Sequence, residues 1–578
     1  MAEELIVYLD HLIPRQNLRY RRSDEYYNEH PKIDTLNISD LLNENLAARV
    51  KLLRKPDFQR ATWSWTPEEC VQLLESVIND QVIPSIIMWL NPEGDYYVLD
   101  GGHRISVILA WLRDDWGDEP KGVTLDPDIK LKIQKAAREV RNLVKNKIGA
   151  FSDYTESDKE FDRVMEEGKA PKQELNDKIY NRAKFYRKII GGHVGFPLLW
   201  VTGNYEKAEL SFLRINKSGK QLSPWETILV ENRNSSFARV VMSLTSLASL
   251  KHYWPPVDVD LSTEVQNKIS SIIINIEKLN KLLFQPNNLT RLTSESFPLM
   301  YVPELQKKPV WISELLTVIE GGRGREAETE KLLKKGASAK PEEIVNTGDE
   351  IVRNVLQVIE QLTGSGPTSL SLVPQIYFYG NDKRYVRSLL YGFIYWLFNS
   401  GVEKTILDRK LTFTAYRSVF EHVIFNEKSN ITSLMTRKTG SGPEVTIQTA
   451  EFFQDLCELI VKCKGSVESE NFLIEYNSRL TAPGRKMISI SSKSLTSTFP
   501  NQCTICGGVL LSYERTPFEL EHLVHPFCEA NSKQITAIKA GKANMNLPLF
   551  RVSEVSPEVR QLSFFDMADF EPFSPSQV

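Results

Sequence analysis

Residues Tyr96 to Trp111, YYVLDGGHRISVILAW, constrain the fold more than any other stretch of this chain. The apolar run Tyr96-Tyr97-Val98-Leu99 ends at Asp100. Two glycines, a histidine and an arginine follow, and apolar residues then return at helical spacing from Ile105 to Trp111. This pattern predicts a strand, a tight turn and a helix. Gly101 and Gly102 let the backbone approach a ligand closely. The start of the new helix presents N–H groups and a partial positive charge, which suit an anion such as phosphate. Arg104 stands in the first helical turn, where the helix dipole disfavours a cation, and a residue placed against local preference points to a ligand. The plain alternative is an ordinary strand-to-helix turn with an exposed arginine, and the motif alone does not exclude it.

The upstream sequence adds order to this turn. Lys55 to Trp65 reads KPDFQRATWSW, and Thr66-Pro67-Glu68-Glu69 follows. Thr66 suits an N-cap, Pro67 the first helical position, and Glu69 completes a capping box. The helix then runs through Val71, Leu73, Leu74, Val77 and Ile78. Ile83 to Leu90, an Asn91-Pro92-Glu93-Gly94 turn and Tyr96 to Asp100 predict a hairpin.

This order resembles the ParB/sulfiredoxin-like nucleotide-binding domain at the N-terminus of GmrSD-type restriction proteins. The hallmark Asp-Gly-Gln-Gln-Arg of that family stands here as Asp100-Gly101-Gly102-His103-Arg104, with both glutamines replaced. A third element, Ala208 to Glu226, carries Phe212, Asn216, Gly219, Leu222, Ser223 and Glu226 in the family's order. The resemblance implies a nucleoside triphosphate held by Gln59, Arg60, Gly101, Gly102, His103, Arg104 and Asn216, with Asp100 catalytic.

The length of 578 residues predicts two or three domains. Hydrophobic content of 41% and charged content of 25% are those of a globular protein. No run is long and apolar enough to span a membrane, and the opening MAEELIVYLDHLIP lacks a secretory pattern, so no membrane partner and a cytoplasmic location are expected. A net charge of −3 excludes a bulk basic coat for DNA but not a local basic groove.

The expected fold class is α+β. A ParB-like domain occupies residues 1–235, with a charged helical insertion at about 117–192. A helical domain follows at 236–490, then a small ββα or treble-clef zinc domain at 491–555 and an acidic tail at 556–578. The basic residues Lys130, Lys132, Lys135, Arg138, Arg141, Lys145 and Lys147 of the insertion read first as a solvated helix face over core residues, and second as phosphate contacts. Gly321 to Glu343, rich in glycine and charge, reads as an exposed excursion. Cys70, Cys457 and Cys463 read as core residues.

Cys503-Thr504-Ile505-Cys506 followed by Gly507-Gly508 has the spacing of a zinc knuckle, and His525 and Cys528 repeat the two-residue gap. Four such ligands close a tetrahedral structural site. Between them, Glu519 to Pro526 resembles the acid-His-aliphatic core of HNH nucleases, with proline one residue farther from the histidine than usual. That resemblance implies that Glu521 helps to hold a divalent metal such as magnesium and that His522 activates water against a phosphodiester. The competing reading is a purely structural zinc finger. Gln561-Leu562-Ser563-Phe564-Phe565 resembles the peptide that bacterial proteins insert into the DNA sliding clamp; the alternative is a tail docked on its own protein.

The resemblance implies a nucleotide-regulated, DNA-targeting defence protein, a modification-dependent (type IV-like) restriction endonuclease. The rival is a nucleotide-switched DNA-binding protein with a structural zinc finger, acting with a partner nuclease. Either reading leaves room for a homo-oligomer.

Overall fold

The computed structural model describes residues 5–16, 33–42, 48–56, 65–118, 127–218, 228–229, 231–245, 254, 261–285, 297–302, 307–334, 340–399, 403–439, 443–480, 501–510 and 524–542. The chain divides into two compact units, Met1–Arg233 with Ser246–Ile269, and Asn234–Thr245 with Ser270–Val578. Among the described residues no helix is long and apolar enough to cross a membrane.

The first unit is built on a mixed six-stranded sheet. Its strands are β1 (Arg15–Gln16), β2 (Thr35–Asn37), β3 (Leu53–Pro56), β4 (Ile86–Leu90), β5 (Tyr96–Asp100) and β6 (Gly195–Val201). Their order is β1-β3-β5-β4-β6-β2. β3 runs parallel to β1 and β5, and β4 parallel to β6. The β4–β5 hairpin is antiparallel, as the turn residues predict. In that turn Gly94 takes φ of 92° and its N–H donates to the Asn91 carbonyl at 3.1 Å.

Strand alternation sorts the apolar side chains onto two faces. Two short helices, α1 (Ser39–Leu42) and α2 (Ala48–Leu52), precede β3; Ile86, Met88 and Val98 join the larger core with the helices α3 (Pro67–Ile78) and α4 (Gly102–Arg113). Trp89, Tyr97 and Leu99 point to the other face, where Tyr205, Ala208 and Phe212 of α9 (Tyr205–Ser218) cover them. The sheet is thus buried on both sides around β5, which explains its near-continuous apolar sequence.

Between α4 and β6 lie α5 (Pro127–Lys147), α6 (Phe151–Glu166), α7 (Pro171–Glu174) and α8 (Asp177–Ile190). α5 turns Ile133, Ala136, Ala137, Val140 and Val144 inward and leaves Lys130, Lys135, Arg138, Lys145 and Lys147 exposed. A solvated face over core residues is therefore what this basic stretch forms.

The second unit is mainly helical. Two of its helices span Pro341–Thr363 and Pro443–Lys462. Prolines at the first position open both. A third spans Arg387–Phe398, just after Tyr385, which pairs with Tyr379 in an isolated β-bridge. Helix Arg387–Phe398 packs tightly on Pro443–Lys462: a Cβ at Gly392 would lie 2.4 Å from Thr449. Phe393, Trp396, Phe413, Phe420 and Phe453 stack around that contact.

The stretch Gly321 to Glu343 is not wholly an exposed excursion. Helix Glu326–Lys334 forms within it and buries Thr329 and Leu333, one turn apart. The Thr317 hydroxyl donates to that of Thr329 at 3.0 Å. Glycine and charge masked a short amphipathic helix there.

Candidate functional sites: the β5–α4 turn and the Cys3His cluster

The β5–α4 turn is shaped by its first glycine. Gly101 is the N-cap of α4 with φ of 93°, in the left-handed region, and a Cβ there would sit 2.9 Å from Cγ1 of Ile86 on β4. Only glycine meets both demands. Gly102, His103 and Arg104 then form the first turn of α4, whose N–H groups lack intrahelical acceptors.

Arg104 is more engaged than the sequence suggests. Its Nη2 donates to Oδ2 of Asp100 at 2.8 Å, and its Nη1 donates to the carbonyls of Pro84 and Ser85, the latter at 3.0 Å. The side chain is 12% exposed, against 44% for Asp100. Its unfavourable position in the first turn thus has a local account: it ties the approach to β4 onto the turn. The Asp100 carboxylate is left partly exposed at the end of β5. His103 stacks on Trp65, with ring centroids 5.7 Å apart and planes 16° apart. Trp65 is held by an antiparallel bridge to Val7 and directly precedes the N-cap Thr66. The capping box is complete, Glu69 N–H to Thr66 Oγ1 at 3.2 Å and Thr66 N–H to Glu69 Oε2 at 2.8 Å.

β3 enters the same region. Leu53 pairs with Tyr96 and Arg54 with Tyr97, beside β5. Gln59 and Arg60 come just after Pro56 but lie outside the described residues. Asn216 lies on α9; its side chain is likewise outside them, as are Gly219, Leu222, Ser223 and Glu226.

Sequence reading missed a buried charge cluster at the β1–β3 edge. The Asp10 carboxylate accepts from Arg15 Nε at 3.0 Å, Arg15 Nη2 at 2.8 Å and Lys55 Nζ at 2.7 Å. All three side chains are 3% exposed or less. Burial alone would raise the Asp10 carboxyl, but the charges of Arg15 and Lys55 outweigh it and hold it well below the usual range. Burial pushes Lys55 down to about 8 against the pull of Asp10.

In the second unit Cys503, Cys506, His525 and Cys528 converge. Their ligand atoms all lie within 4.8 Å of one another, and all four residues are buried. His525 Nδ1 is 3.3 Å from Cys506 Sγ and 3.7 Å from Cys528 Sγ. His525 Nε2 lies 2.9 Å from the Val509 carbonyl. A carbonyl only accepts, so the ring proton belongs on Nε2, and the bare Nδ1 lone pair faces the sulfurs. Burial, with the nearby Arg417 charge, holds the imidazole below its usual value and so neutral. Cys503 is lowered by hydrogen bonds from Cys506 and Cys528, while Cys506 is pushed up to about 12 by that same sharing. Three sulfurs and one imidazole nitrogen at these separations fit a tetrahedral zinc, whose bonds of ~2.0–2.3 Å put ligand atoms roughly 3.3–3.8 Å apart.

The turn around the first pair is that of a knuckle. Cys503 N–H donates to the Gly508 carbonyl and Gly507 N–H to the Cys503 carbonyl, both at 2.8 Å. Gly507 takes φ of 75°, and Gly508 N–H points at Cys506 Sγ at 3.3 Å. Gln502 and Val509 form a β-bridge across the turn. His525 is the N-cap of the short helix Pro526–Ala530, which carries Cys528, and Ser532–Lys539 continues it.

A buried polar network fastens this knuckle to the helices of its own unit. Glu421 Oε2 accepts from Val509 N–H at 2.6 Å, and Oε1 accepts from Arg417 Nε and the Tyr377 hydroxyl, both at 2.7 Å. Arg417 also donates to the carbonyls of Leu370 and Ser371. Arg417 and Glu421 are fully buried. Nothing in the cysteine spacing announces this network; the Arg417 to Glu421 interval on one helix was its only signal. Glu521 and His522 lie outside the described residues, as do Glu519 and the tail motif Gln561–Phe565.

With this geometry in view, residues 38–232 match the family model of the GmrSD restriction endonuclease, N-terminal domain. Over these residues the chain is similar to the GmrSD-type family. The matched span runs from just after β2 to just past α9, and so includes the β5–α4 turn, the inserted helices and Phe212. No curated protein matches the chain, and no solved structure does. The matched span includes Asp100-Gly101-Gly102-His103-Arg104, in which Trp65 stacks on His103.

Proposed function

We propose that this chain is a nucleotide-regulated restriction protein that targets foreign DNA, in which the β5–α4 turn binds a nucleoside triphosphate and the C-terminal element cuts. The observation that carries the reading is the Gly101 turn, left-handed and pressed on Ile86, within a domain that matches a restriction endonuclease family. Phosphate fits the start of α4, where N–H groups and the helix dipole favour an anion. Gln59, Arg60 and Asn216 complete the nucleotide site in this proposal, and Asp100 orients the attacking water or its metal. Cys503, Cys506, His525 and Cys528 hold a structural zinc. Glu521 helps to hold a divalent metal such as magnesium, and His522 takes the proton of the water that attacks the phosphodiester.

The test is cleavage of modified and unmodified phage DNA by the full chain, with and without nucleoside triphosphate and magnesium. His522→Ala should lower nicking by ~10²–10⁴ while zinc content and nucleotide binding persist. Loss of zinc on the same substitution would instead make His522 a structural residue.

One observation favours a second reading. The Cys3His cluster is closed and buried, with four protein ligands and no open position, as in structural rather than catalytic zinc sites. On that reading the element braces a DNA-binding surface, and a partner nuclease cuts. A wild type that binds DNA and zinc but cleaves nothing under any nucleotide or metal condition would establish it.

A further inference from the structure

The inserted helices of the GmrSD-type domain pair almost all of their arginines. Arg141 reaches Asp114 at 3.0 Å and Asp118 at 2.6 Å. Arg163 pairs with Glu160 and Glu167, Arg182 with Asp153, and Arg187 with Asp158 and Asp162. Arg138 is the exception: no ion pair holds it among the described residues. It stands on the outer face of α5, between Lys135 and Lys145, which are exposed and without ion pairs in the same way. These three positions follow the helical intervals of three and seven residues, so they form one stripe down the helix. Asn142 falls on the same stripe and is exposed. Glu139 is the one acidic residue among the described exposed positions of α5, and it sits at the margin of the stripe.

The opposite face of α5 fixes this arrangement. Ala137, Val140 and Val144 belong to the core of the first unit, and Arg141 is bonded inward at the flank. The helix cannot rotate its cations away without giving up that burial. A rigid stripe of unneutralised cations, in a chain whose net charge is −3, is a local feature rather than an effect of composition.

We propose that the outer face of α5 docks the phosphate backbone of duplex DNA through Lys135, Arg138 and Lys145. The inference rests on the DNA-targeting reading and names the surface that serves it. Lys135 to Lys145 spans about 15 Å of helix, against which a duplex presents roughly nine phosphates on both strands together. Asn142 can donate to a phosphate oxygen between the cations. Such contacts position the protein and carry no sequence information, which suits a domain that must engage DNA before any modification is read.

The experiment is a salt titration of the full chain against a fluorescent unmodified duplex, by anisotropy, without nucleotide or divalent metal. Each phosphate contact contributes about −0.9 to the slope of log affinity on log salt. The triple variant Lys135→Gln/Arg138→Gln/Lys145→Gln should therefore lose roughly 2–3 units of slope and bind weakly at low salt. Glu139→Gln should tighten binding. Thermal melting of both variants, expected to match wild type, excludes unfolding as the cause. A triple variant with the affinity and slope of wild type overturns this assignment alone, and leaves the face to another partner such as an acidic protein. A wild type that does not bind duplex DNA at low salt overturns the DNA-targeting reading together with it.

Discussion

Three charged residues illustrate how burial decides a side chain's work. Arg104 is bonded to Asp100 and to two carbonyls before β4, so its removal loosens the turn that the proposed triphosphate site uses. Arg104→Ala should weaken triphosphate binding by about tenfold to a hundredfold, the loss expected for a charge-assisted hydrogen bond of ~1.5–3 kcal/mol. Calorimetry of wild type and variant measures it, and equal affinities would remove Arg104 from the site. Asp10 is the only anion among the described residues that faces both Arg15 and Lys55. Asp10→Asn removes the buried carboxylate to which both cations are bonded and should destabilise the first unit by ~3–5 kcal/mol in urea unfolding. Lys410 has no carboxylate partner among the described residues; its Nζ donates to Gln361 Oε1 at 3.0 Å and to the Thr368 carbonyl, and lies 4.6 Å from the Phe527 ring centre. Burial pushes it down to about 7 from the ordinary 10.5. Between those values the unfolded chain holds the proton that the folded chain lacks, so stability rises with pH across the window. The penalty is fully present below about pH 7. Against a Lys410→Met variant, wild type should therefore gain stability from pH 7 towards 10.5, and a constant difference would show that Lys410 titrates normally.

At the scale of elements, the knuckle shows how a short turn depends on a distant helix. Gly508 lies against Arg417, so that a Cβ would come within 2.7 Å of Cδ and 2.8 Å of Cγ. Arg417 cannot yield, because its guanidinium is fixed by Glu421 and by two carbonyls. Gly508→Ala should cost about 1–3 kcal/mol by overpacking, and should loosen metal retention by moving the Cys506 turn. Metal analysis of the protein as purified should find one zinc per chain, absent in Cys503→Ser. Because Glu421 joins Val509 to the helix Arg417–Thr439, chelation should lower the melting temperature of the helical unit as well as unravel the knuckle. A metal-free protein with unchanged melting would refute the zinc assignment. The β4–β5 hairpin and the capped helix α3 lie at the other extreme, since their turn and cap residues are local and were legible directly.

For the whole molecule, two compact units carry the two kinds of chemistry that the sequence suggests. The β5–α4 turn belongs to the first unit and the Cys3His cluster to the second. The cluster belongs to the same compact unit as the preceding helices and is fastened to them by Glu421, Arg417 and the Phe527 N–H, which donates to the Ser369 carbonyl at 3.2 Å. A fragment containing only residues 491–555 should therefore fold less stably than the same residues within the second unit, even with zinc bound. Circular dichroism of the fragment and of the full second unit, each with zinc, tests this; equal stability would show the knuckle to be independent.

The sequence by itself determined what local chemistry can determine. The strand, turn and helix around Asp100 follow from apolar periodicity and glycine. The capping box at Thr66 follows from residues three apart, and the Cys3His grouping from two matched gaps. These signals act over a few residues, so the one-dimensional order contains them. Tertiary structure alone decided which groups meet across the chain. It set Trp65 on His103, bound Arg104 to Pro84 and Ser85, buried Asp10 with Lys55, and placed Glu421 beneath Val509. It also chose, among the basic residues of α5, which was drawn inward by acids and which were left facing water. Those choices depend on burial and on the fields of distant charges. Both arise only when segments tens to hundreds of residues apart pack together, which no local pattern encodes.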